Sequence, residues 1–334
     1  MEIESGSKPL LIWALTDGRA GNVAQALGLA EAIARQRPAA VEAPVAAPSA
    51  LAAALPAALS HRLGQVLPGW PMRGYAGLPA RDPRPDLIIG AGRRIAPLVA
   101  AWGRDGAKTV QVLDPQMPAS AFDLVVVPEH DGLVGPRILT CLGAPGRVTP
   151  ARITEAVAEW EPRLPQNPNP RLAVLIGGSG RMARWSEGDA DRVLQAVTAL
   201  AEDHAILATV SRRSEPGLAD RLRERLGRER LGRGRHLVHD GSGDNPYPAI
   251  LGLADAVLVT QDSVNMASEA ACSGLPVHIL RVGTPAPKAV RFHAALAERG
   301  IAQDFQGRIA QWRYDPLAEA DRLAALCLTR LHLA

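Results

Sequence analysis

The chain has 334 residues, more than the roughly 250 to 300 at which a single hydrophobic core stops growing, so two domains are expected. Hydrophobic residues make up 47% and charged residues 21%, which is typical of a soluble globular protein and excludes a largely disordered chain. A net charge of +3, with arginines spread among acidic residues, argues against nucleic acid as a partner, and three distant cysteines indicate neither a disulfide framework nor a zinc site.

Short apolar runs alternate with longer amphipathic ones in the first half of the chain. The apolar runs are 10–15 (LLIWAL), 85–90 (PDLIIG), 109–114 (TVQVLD) and 123–128 (DLVVVP). Helical periodicity at 22–36 and 93–105 lies between them, which predicts β/α alternation. The opening run is too short for a signal peptide or a membrane span, so we expect a cytoplasmic protein without a transmembrane segment. Residues 43–80, rich in Ala, Pro and Gly, are predicted to form an irregular excursion with an apolar surface.

The same alternation restarts after a proline-rich stretch, PQNPNP at 165–170, which is predicted to be a linker. The strands predicted beyond it are 171–178, 205–211, 236–241, 255–260 and 276–280. Right-handed βαβ chaining then predicts two doubly wound, Rossmann-like α/β domains that face each other across a cleft. Their expected bounds are 1–164 and 171–315, with a last helix in 316–334 that packs back on the first domain.

The loop after the first strand, TDGRAGNVAQ, is the first candidate site. Asp17, Gly18, Arg19 and Gly21 follow the strand, and Asn22 is predicted to cap the next helix. The alternative is a turn with a helix cap and no ligand. The spacing matches neither the glycine fingerprint of a dinucleotide site nor a P-loop.

Two further strand ends carry residues suited to phosphate. Small residues at Gly177, Gly178, Ser179 and Gly180 would let a phosphate approach the backbone, with Arg181 supplying charge. A glycine-rich turn before a helix is the alternative. In the SRRS stretch, Ser211 and Arg212 with the following Arg213 suit a diphosphate, although a solvated charge cluster is the competing interpretation.

The stretch VTQDSVNMASEA places polar side chains at a strand end and on the helix after it. The candidates are Thr260, Asp262, Ser263 and Glu269, with Asn245 and Tyr247 opening the helix that precedes the strand. A buried Glu269 would be costly without partners, and the two hydroxyls of a ribose would provide them. The alternative is an ordinary exposed glutamate.

These residues resemble the nucleotide-sugar-binding half of glycosyltransferases of the GT-B architecture. A closer resemblance is to the mitochondrial-fission "elongated mitochondria" family, carried by TDGRAGNVAQALGL, DLIIGAGRRIAPL, VVVPEHDGL, CLGAPGRVTP, LIGGSGR, SRRS, NPY and VTQDSVNMASEA. The GT-B resemblance implies Glu269 as the ribose ligand, residues 177–181 as the phosphate cradle, and Asp262 and Ser263 facing the donor. It also implies Asp17 as the base that deprotonates an acceptor hydroxyl, with Glu129 in VPEHDG as the alternative base.

The expected activity is transfer of a sugar from a nucleoside-diphosphate sugar to a hydroxyl acceptor, with no metal and no separate cofactor. A lipid-linked or glycan acceptor would place the protein at the inner-membrane surface. Two other classes stay open: a nucleotide-sugar 2-epimerase of the same architecture, and a non-enzymatic adaptor of the mitochondrial-fission family with a relic nucleotide pocket.

Overall fold

The computed structural model describes residues 8–80, 82–164, 168–227 and 235–333, so part of the predicted 165–170 linker lies outside the described residues. Each of two compact units holds a six-stranded parallel sheet with helices around it. Unit 1 comprises Met1–Arg147 and Glu319–Ala334, and unit 2 comprises Val148–Ala318. The predicted α/β class with two Rossmann-like domains is therefore confirmed.

The sheet of unit 1 has the strand order β2-β1-β5-β6-β7-β8. The elements of this part are β1 (Leu10–Leu15), α1 (Ala20–Gln36), β2 (Ala39–Glu42), β3 (Ala47–Pro48), α2 (Ala50–Ala54), α3 (Ala57–Val66), β4 (Tyr75–Ala76), β5 (Leu87–Ala91), α4 (Ala96–Arg104), β6 (Lys108–Val112), β7 (Leu124–Pro128) and β8 (Ile138–Cys141). The central strands β5 and β7 are buried along their whole length, which explains why they read as continuous apolar runs rather than as alternating ones.

The sheet of unit 2 has the order β12-β11-β9-β13-β14-β16. The remaining elements are α5 (Pro150–Trp160), β9 (Arg171–Ile176), β10 (Ala183–Arg184), α6 (Asp189–Leu200), β11 (Ala205–Val210), α7 (Leu218–Leu226), β12 (Leu237–His239), α8 (Tyr247–Leu253), β13 (Ala256–Thr260), α9 (Val264–Ala271), β14 (Val277–Leu280), β15 (Thr284–Pro285), α10 (Pro287–Glu298), β16 (Ala302–Asp304) and α11 (Glu319–Leu331). The parallel pairing brings the carboxyl ends of β9, β11, β13 and β14 to one edge.

The boundary between the units differs from the predicted one. Helix α5, expected in the first domain, belongs to unit 2 and packs against α8. The contact is close at Gly252, where an added Cβ would lie 2.4 Å from Val157 Cγ2 and 2.7 Å from Ile153 Cγ2. The predicted linker at 165–170 therefore does not mark the change of unit, which falls between Arg147 and Val148.

The last helix, α11, packs on α1 of unit 1. Leu323, Cys327 and Leu331 are buried in the same hydrophobic cluster as Leu29 and Ile33 of α1. Residues 316–318, which were predicted to belong with this helix, stay in unit 2. The chain therefore returns to its first unit only at Glu319.

Candidate functional site

The glycine loop after β9 is tied to the loop after β13 by hydrogen bonds. The Gly177 amide donates to Thr260 Oγ1 at 2.8 Å, and the Gly178 amide donates to Asp262 Oδ2 at 2.7 Å. The Gly180 amide donates to the Ala183 carbonyl at 2.8 Å. Because these three amides already have acceptors within the protein, a phosphate at this loop would be held mainly by side chains.

Close packing explains why positions 177 and 178 are glycine. A Cβ at Gly177 would lie 2.0 Å from Asp262 Oδ2, and one at Gly178 would lie 2.2 Å from the Arg213 carbonyl oxygen. Neither glycine has a positive φ, so the requirement is space and not backbone handedness. The loops after β9, β11 and β13 therefore form one packed cluster.

Asp262 lies at the centre of this cluster. It is 2% exposed, and its Oδ1 has no hydrogen-bond partner within the described residues. Burial raises the pKa of its carboxyl group, while the Gly178 amide and the Arg213 guanidinium, 3.8 Å away, act in the opposite direction. Since one carboxylate oxygen already binds the Gly178 amide, Asp262 holds the loops together and is poorly suited to face a phosphate.

Arginines line the exposed side of the same edge. Arg181 and Arg212 are exposed, and in the described part of the chain no carboxylate lies within ion-pair distance of either. Ser211 accepts a hydrogen bond from the Arg213 amide at 3.2 Å, which shapes the turn that presents Arg212. Arg181 and Arg212 therefore carry positive charge that no carboxylate of the described residues neutralises.

Glu269 lies two turns into α9, whose first turn is capped by Ser263 accepting from the Met266 amide at 3.4 Å. Burial raises the pKa of Glu269 to about 7, and the nearby Tyr247 hydroxyl partly offsets the rise. Among the described residues no cation pairs with this carboxylate. Because its pKa in the folded protein exceeds the ordinary value, Glu269 contributes stability at low pH that is lost as the pH rises through about 7.

Tyr247 lies against Glu269 at the start of α8. Asn245 Oδ1 accepts a hydrogen bond from the Tyr247 amide at 3.1 Å and so fixes the turn into this helix. Burial, with the charge of Glu269, raises the pKa of the Tyr247 hydroxyl well above its ordinary value. Its Oη does not reach hydrogen-bond geometry with any described residue. Glu269 and Tyr247 thus bring a carboxylate and a hydroxyl side by side at this edge of the sheet.

Asp189, which the sequence analysis did not identify, stabilises the edge of the site. Its fully buried carboxylate accepts from the Ser186 amide and hydroxyl at 2.5 and 2.7 Å and from the Gly283 amide at 3.1 Å. Burial opposes ionisation, but these hydrogen bonds bring its pKa below the ordinary value. The sequence does carry a signal for this residue. Ser186 and Asp189 stand three positions apart where α6 begins, and this spacing is typical of helix beginnings.

Asp17 follows β1 in unit 1, with a side chain only 3% exposed. Its Oδ1 accepts from Asn22 Nδ2 at 2.9 Å, and its Oδ2 lies 3.5 Å from Arg19 Nε. The prediction that Asn22 caps the helix is wrong, because α1 begins at Ala20 and Asn22 stands in its first turn. Asn22 instead orients the Asp17 carboxylate. Gly18 lies in this loop with a φ of 77°, whereas Gly21 stands in the first turn of α1.

Glu129 follows β7 at the same edge of the unit 1 sheet as Asp17, but several strands away from it. Strands β5 and β6 separate β7 from β1, and strand spacing puts the two strand ends roughly 14 Å apart. Glu129 is exposed, and the adjacent His130 and Asp131 are largely buried, with Nε2 and Oδ1 3.9 Å apart. The two predicted bases therefore do not form one constellation.

The sequence also matches a known family. Residues 20–331 match the protein family described as Mitochondrial fission ELM1. The chain belongs to this family. The resemblance inferred from the motifs is thereby confirmed. One relative, Mitochondrial fission protein ELM1 from Arabidopsis thaliana, is 24% identical over 270 residues, covering 72% of this chain and 62% of that protein, so the chain spans less than two thirds of that relative's length.

Solved structures similar to this ELM1-family chain include carbohydrate enzymes. A protein from Listeria monocytogenes, named for UDP-N-acetylglucosamine 2-epimerase activity, superposes with a TM-score of 0.51 at 15% identity, covering 97% of this chain and 88% of that one. A glycosyltransferase from Rickettsia africae gives a TM-score of 0.46 at 11% identity, covering 97% and 89%. At such identities the epimerase structure shows a shared fold alone, and the predicted GT-B-like fold class is confirmed.

Within 8–80, 82–164, 168–227 and 235–333, no three His, Cys, Asp or Glu side chains cluster as metal ligands. None of the helices in those ranges combines the length and apolar character needed to cross a bilayer.

Proposed function

We propose that this protein binds a nucleoside-diphosphate sugar at the carboxyl edge of the unit 2 sheet and transfers the sugar to a hydroxyl acceptor. The observation that carries the proposal is Glu269, a half-buried carboxylate whose pKa is raised to about 7 and which has no cation beside it among the described residues. A buried carboxylate is costly unless hydrogen-bond donors satisfy it. The two hydroxyls of a ribose would supply a pair of donors, and Tyr247 would lie beside them.

The diphosphate would lie on the arginine side of this edge. Arg181 and Arg212 offer exposed guanidinium groups, and guanidinium binds phosphate oxygens in a bidentate manner. The amino end of α9 adds a partial positive charge at the same edge. Together they would stabilise the charge that develops on the diphosphate as it leaves.

Asp17 would act in the chemical step. Its carboxylate, oriented by Asn22, would accept the proton of the acceptor hydroxyl as the acceptor oxygen bonds to the anomeric carbon. The bond between that carbon and the diphosphate would break, and the diphosphate would keep the electron pair. The acceptor in this proposal is a hydroxyl of a cell-envelope lipid or glycan at the cytoplasmic face of the membrane.

Replacing Glu269 with alanine should weaken nucleotide binding by about 1.5 to 3 kcal/mol, the range for hydrogen bonds to a charged group. Because the ribose is common to both ligands, the nucleoside and its diphosphate should lose similar affinity. Arg181→Ala should instead weaken the diphosphate and leave the nucleoside almost unchanged. Isothermal titration calorimetry on each folded variant measures both.

Glu298→Ala provides the control, since it makes the same truncation on an exposed position of α10. It should bind both ligands as the wild type does. If Glu269→Ala binds the nucleoside with wild-type affinity, the ribose assignment is wrong. If Arg181→Ala weakens both ligands equally, the arginine does not act through the phosphates.

A non-enzymatic role is the second candidate, favoured by one structural observation. The amides of Gly177, Gly178 and Gly180 are bonded within the protein, so these three glycines do not offer the free backbone donors that a phosphate cradle uses. An adaptor would bind nucleotide without turnover. An epimerase would convert donor sugar with no acceptor present, which NMR of the sugar would detect, whereas a transferase would require the acceptor.

A further inference from the structure

Large apolar side chains are exposed mainly in one segment of unit 1. Of seven such side chains found among the described residues, five lie between positions 45 and 67. They are Val45, Leu51, Leu59, Val66 and Leu67, at 49%, 61%, 44%, 72% and 49% exposure. Scattered apolar residues are normal on a surface, but a cluster of this kind marks an interaction site.

Helix α3 presents this apolar surface on a well-packed support. Its inner side is fixed because Ser60 is buried and its carbonyl accepts a hydrogen bond from Trp70 Nε1 at 3.0 Å. Leu59, Arg62 and Val66 are exposed, and their spacing of three and four residues places them on one outer face. The outer face of α3 therefore carries apolar and basic side chains on a helix whose inner side is packed against the rest of unit 1.

The charge of this region has one sign. Residues 43–80 contain no Asp or Glu, while Arg62 and Arg73 lie within the segment. Arg104 of α4 donates to the Gly64 carbonyl at 3.4 Å and so adds a third cation beside α3. Apolar side chains interleaved with arginines are complementary to the interface of an anionic bilayer.

A cavity of about 340 Å³ opens beside this surface. It is bounded by the turn between α2 and α3 and by Arg93, Arg94, Pro97 and Gln116. Arg93 donates to Gln116 Oε1 at 3.0 Å, and within the described residues the Arg94 side chain has no carboxylate at ion-pair distance. The volume falls in the range of small-ligand pockets, and its charged wall suits a phosphate.

We propose that α2, α3 and this cavity form a docking surface for an anionic lipid bilayer. The cavity would take the phosphate of a lipid headgroup between Arg93 and Arg94, while Leu51, Leu59 and Val66 enter the interface. One apolar contact or one basic cluster gives weak attachment, and the two together give stable attachment. The inference holds whether or not the protein transfers a sugar.

The test is flotation of the full chain with vesicles of phosphatidylcholine alone or of phosphatidylcholine mixed with phosphatidylglycerol. The wild type should bind the anionic vesicles and not the neutral ones. Arg93→Ala/Arg94→Ala should weaken binding roughly tenfold or more, because each basic residue near an anionic surface raises the affinity about fivefold. Leu59→Ser/Val66→Ser should weaken it by a similar factor.

Two matched controls lie on unit 2. Arg308→Ala removes an exposed arginine, and Val290→Ser removes an apolar side chain that is 50% exposed. Both should bind as the wild type does, and all variants should unfold at temperatures close to that of the wild type. Equal binding to neutral vesicles, no loss in either double variant, or an equal loss in the controls would each overturn the proposal.

Discussion

The substitution Gly178→Ala should destabilise unit 2 by about 3 kcal/mol, at the upper end of the cost of overpacking. The new methyl group would lie 2.2 Å from the Arg213 carbonyl oxygen and 2.6 Å from the Ser214 amide nitrogen. Both atoms belong to backbone, so no rotation of a side chain relieves the clash. Calorimetric unfolding should show a midpoint lowered by roughly 6 to 12 °C for a domain of this size.

Gly180→Ala is the matched control in the same loop. Its nearest neighbour would be Arg213 Nη1 at 3.7 Å, an ordinary contact with a flexible side chain. The variant should unfold within about 1 kcal/mol of the wild type. Equal stabilities for the two variants would show that the loops after β9 and β11 are not packed as described.

The substitution Asp17→Asn should reduce the rate of sugar transfer by roughly 10²- to 10⁴-fold, the usual contribution of a general base. The amide keeps an oxygen that can accept from Asn22, so the loop should retain its shape. Donor affinity should not change, because the lost interaction belongs to the chemical step. Single-turnover kinetics with a fixed acceptor separates the two quantities.

Glu129→Gln is the comparison that identifies the base. The strand ends that carry Asp17 and Glu129 are roughly 14 Å apart, so one acceptor hydroxyl cannot contact both carboxylates. The variant should transfer sugar at the wild-type rate. The opposite pattern, a slow Glu129→Gln and an unimpaired Asp17→Asn, would move the role to Glu129.

Much of the fold could be predicted from sequence because parallel strands buried on both faces read as continuous apolar runs. The strands β1, β5, β9 and β13 were found in this way, and their order along the chain predicted a parallel sheet. The resemblance to the mitochondrial-fission family was carried by motifs at these same strand ends. Ligand-binding residues of parallel sheets lie in the loops at the carboxyl edge. The strand pattern and the family resemblance therefore indicated the same region as the candidate site.

Other features depend on contacts that a linear pattern does not encode. The change of unit at Arg147 follows from the packing of α5 on Gly252 of α8, which is distant in the chain. The amides of the glycine loop are occupied by Thr260 and Asp262, more than 80 residues away. The sequence of this loop shows only a cluster of glycines, which is compatible with a phosphate-binding loop and equally with close packing of neighbouring loops.

The most direct test of a nucleotide site at Glu269 is calorimetric titration of the wild type with nucleoside diphosphates near pH 7, in buffers that differ in ionisation enthalpy. Because burial raises the pKa of Glu269 to about 7, roughly half of the free protein carries a proton there. Ribose hydroxyls donate to the ionised form, so binding should release a fraction of a proton, and affinity should rise with pH. Glu269→Gln should bind more weakly and release fewer protons, because only the terminal phosphate of the ligand can then lose one. If no nucleoside diphosphate binds, or if wild type and Glu269→Gln release the same number of protons, the account of the site is contradicted.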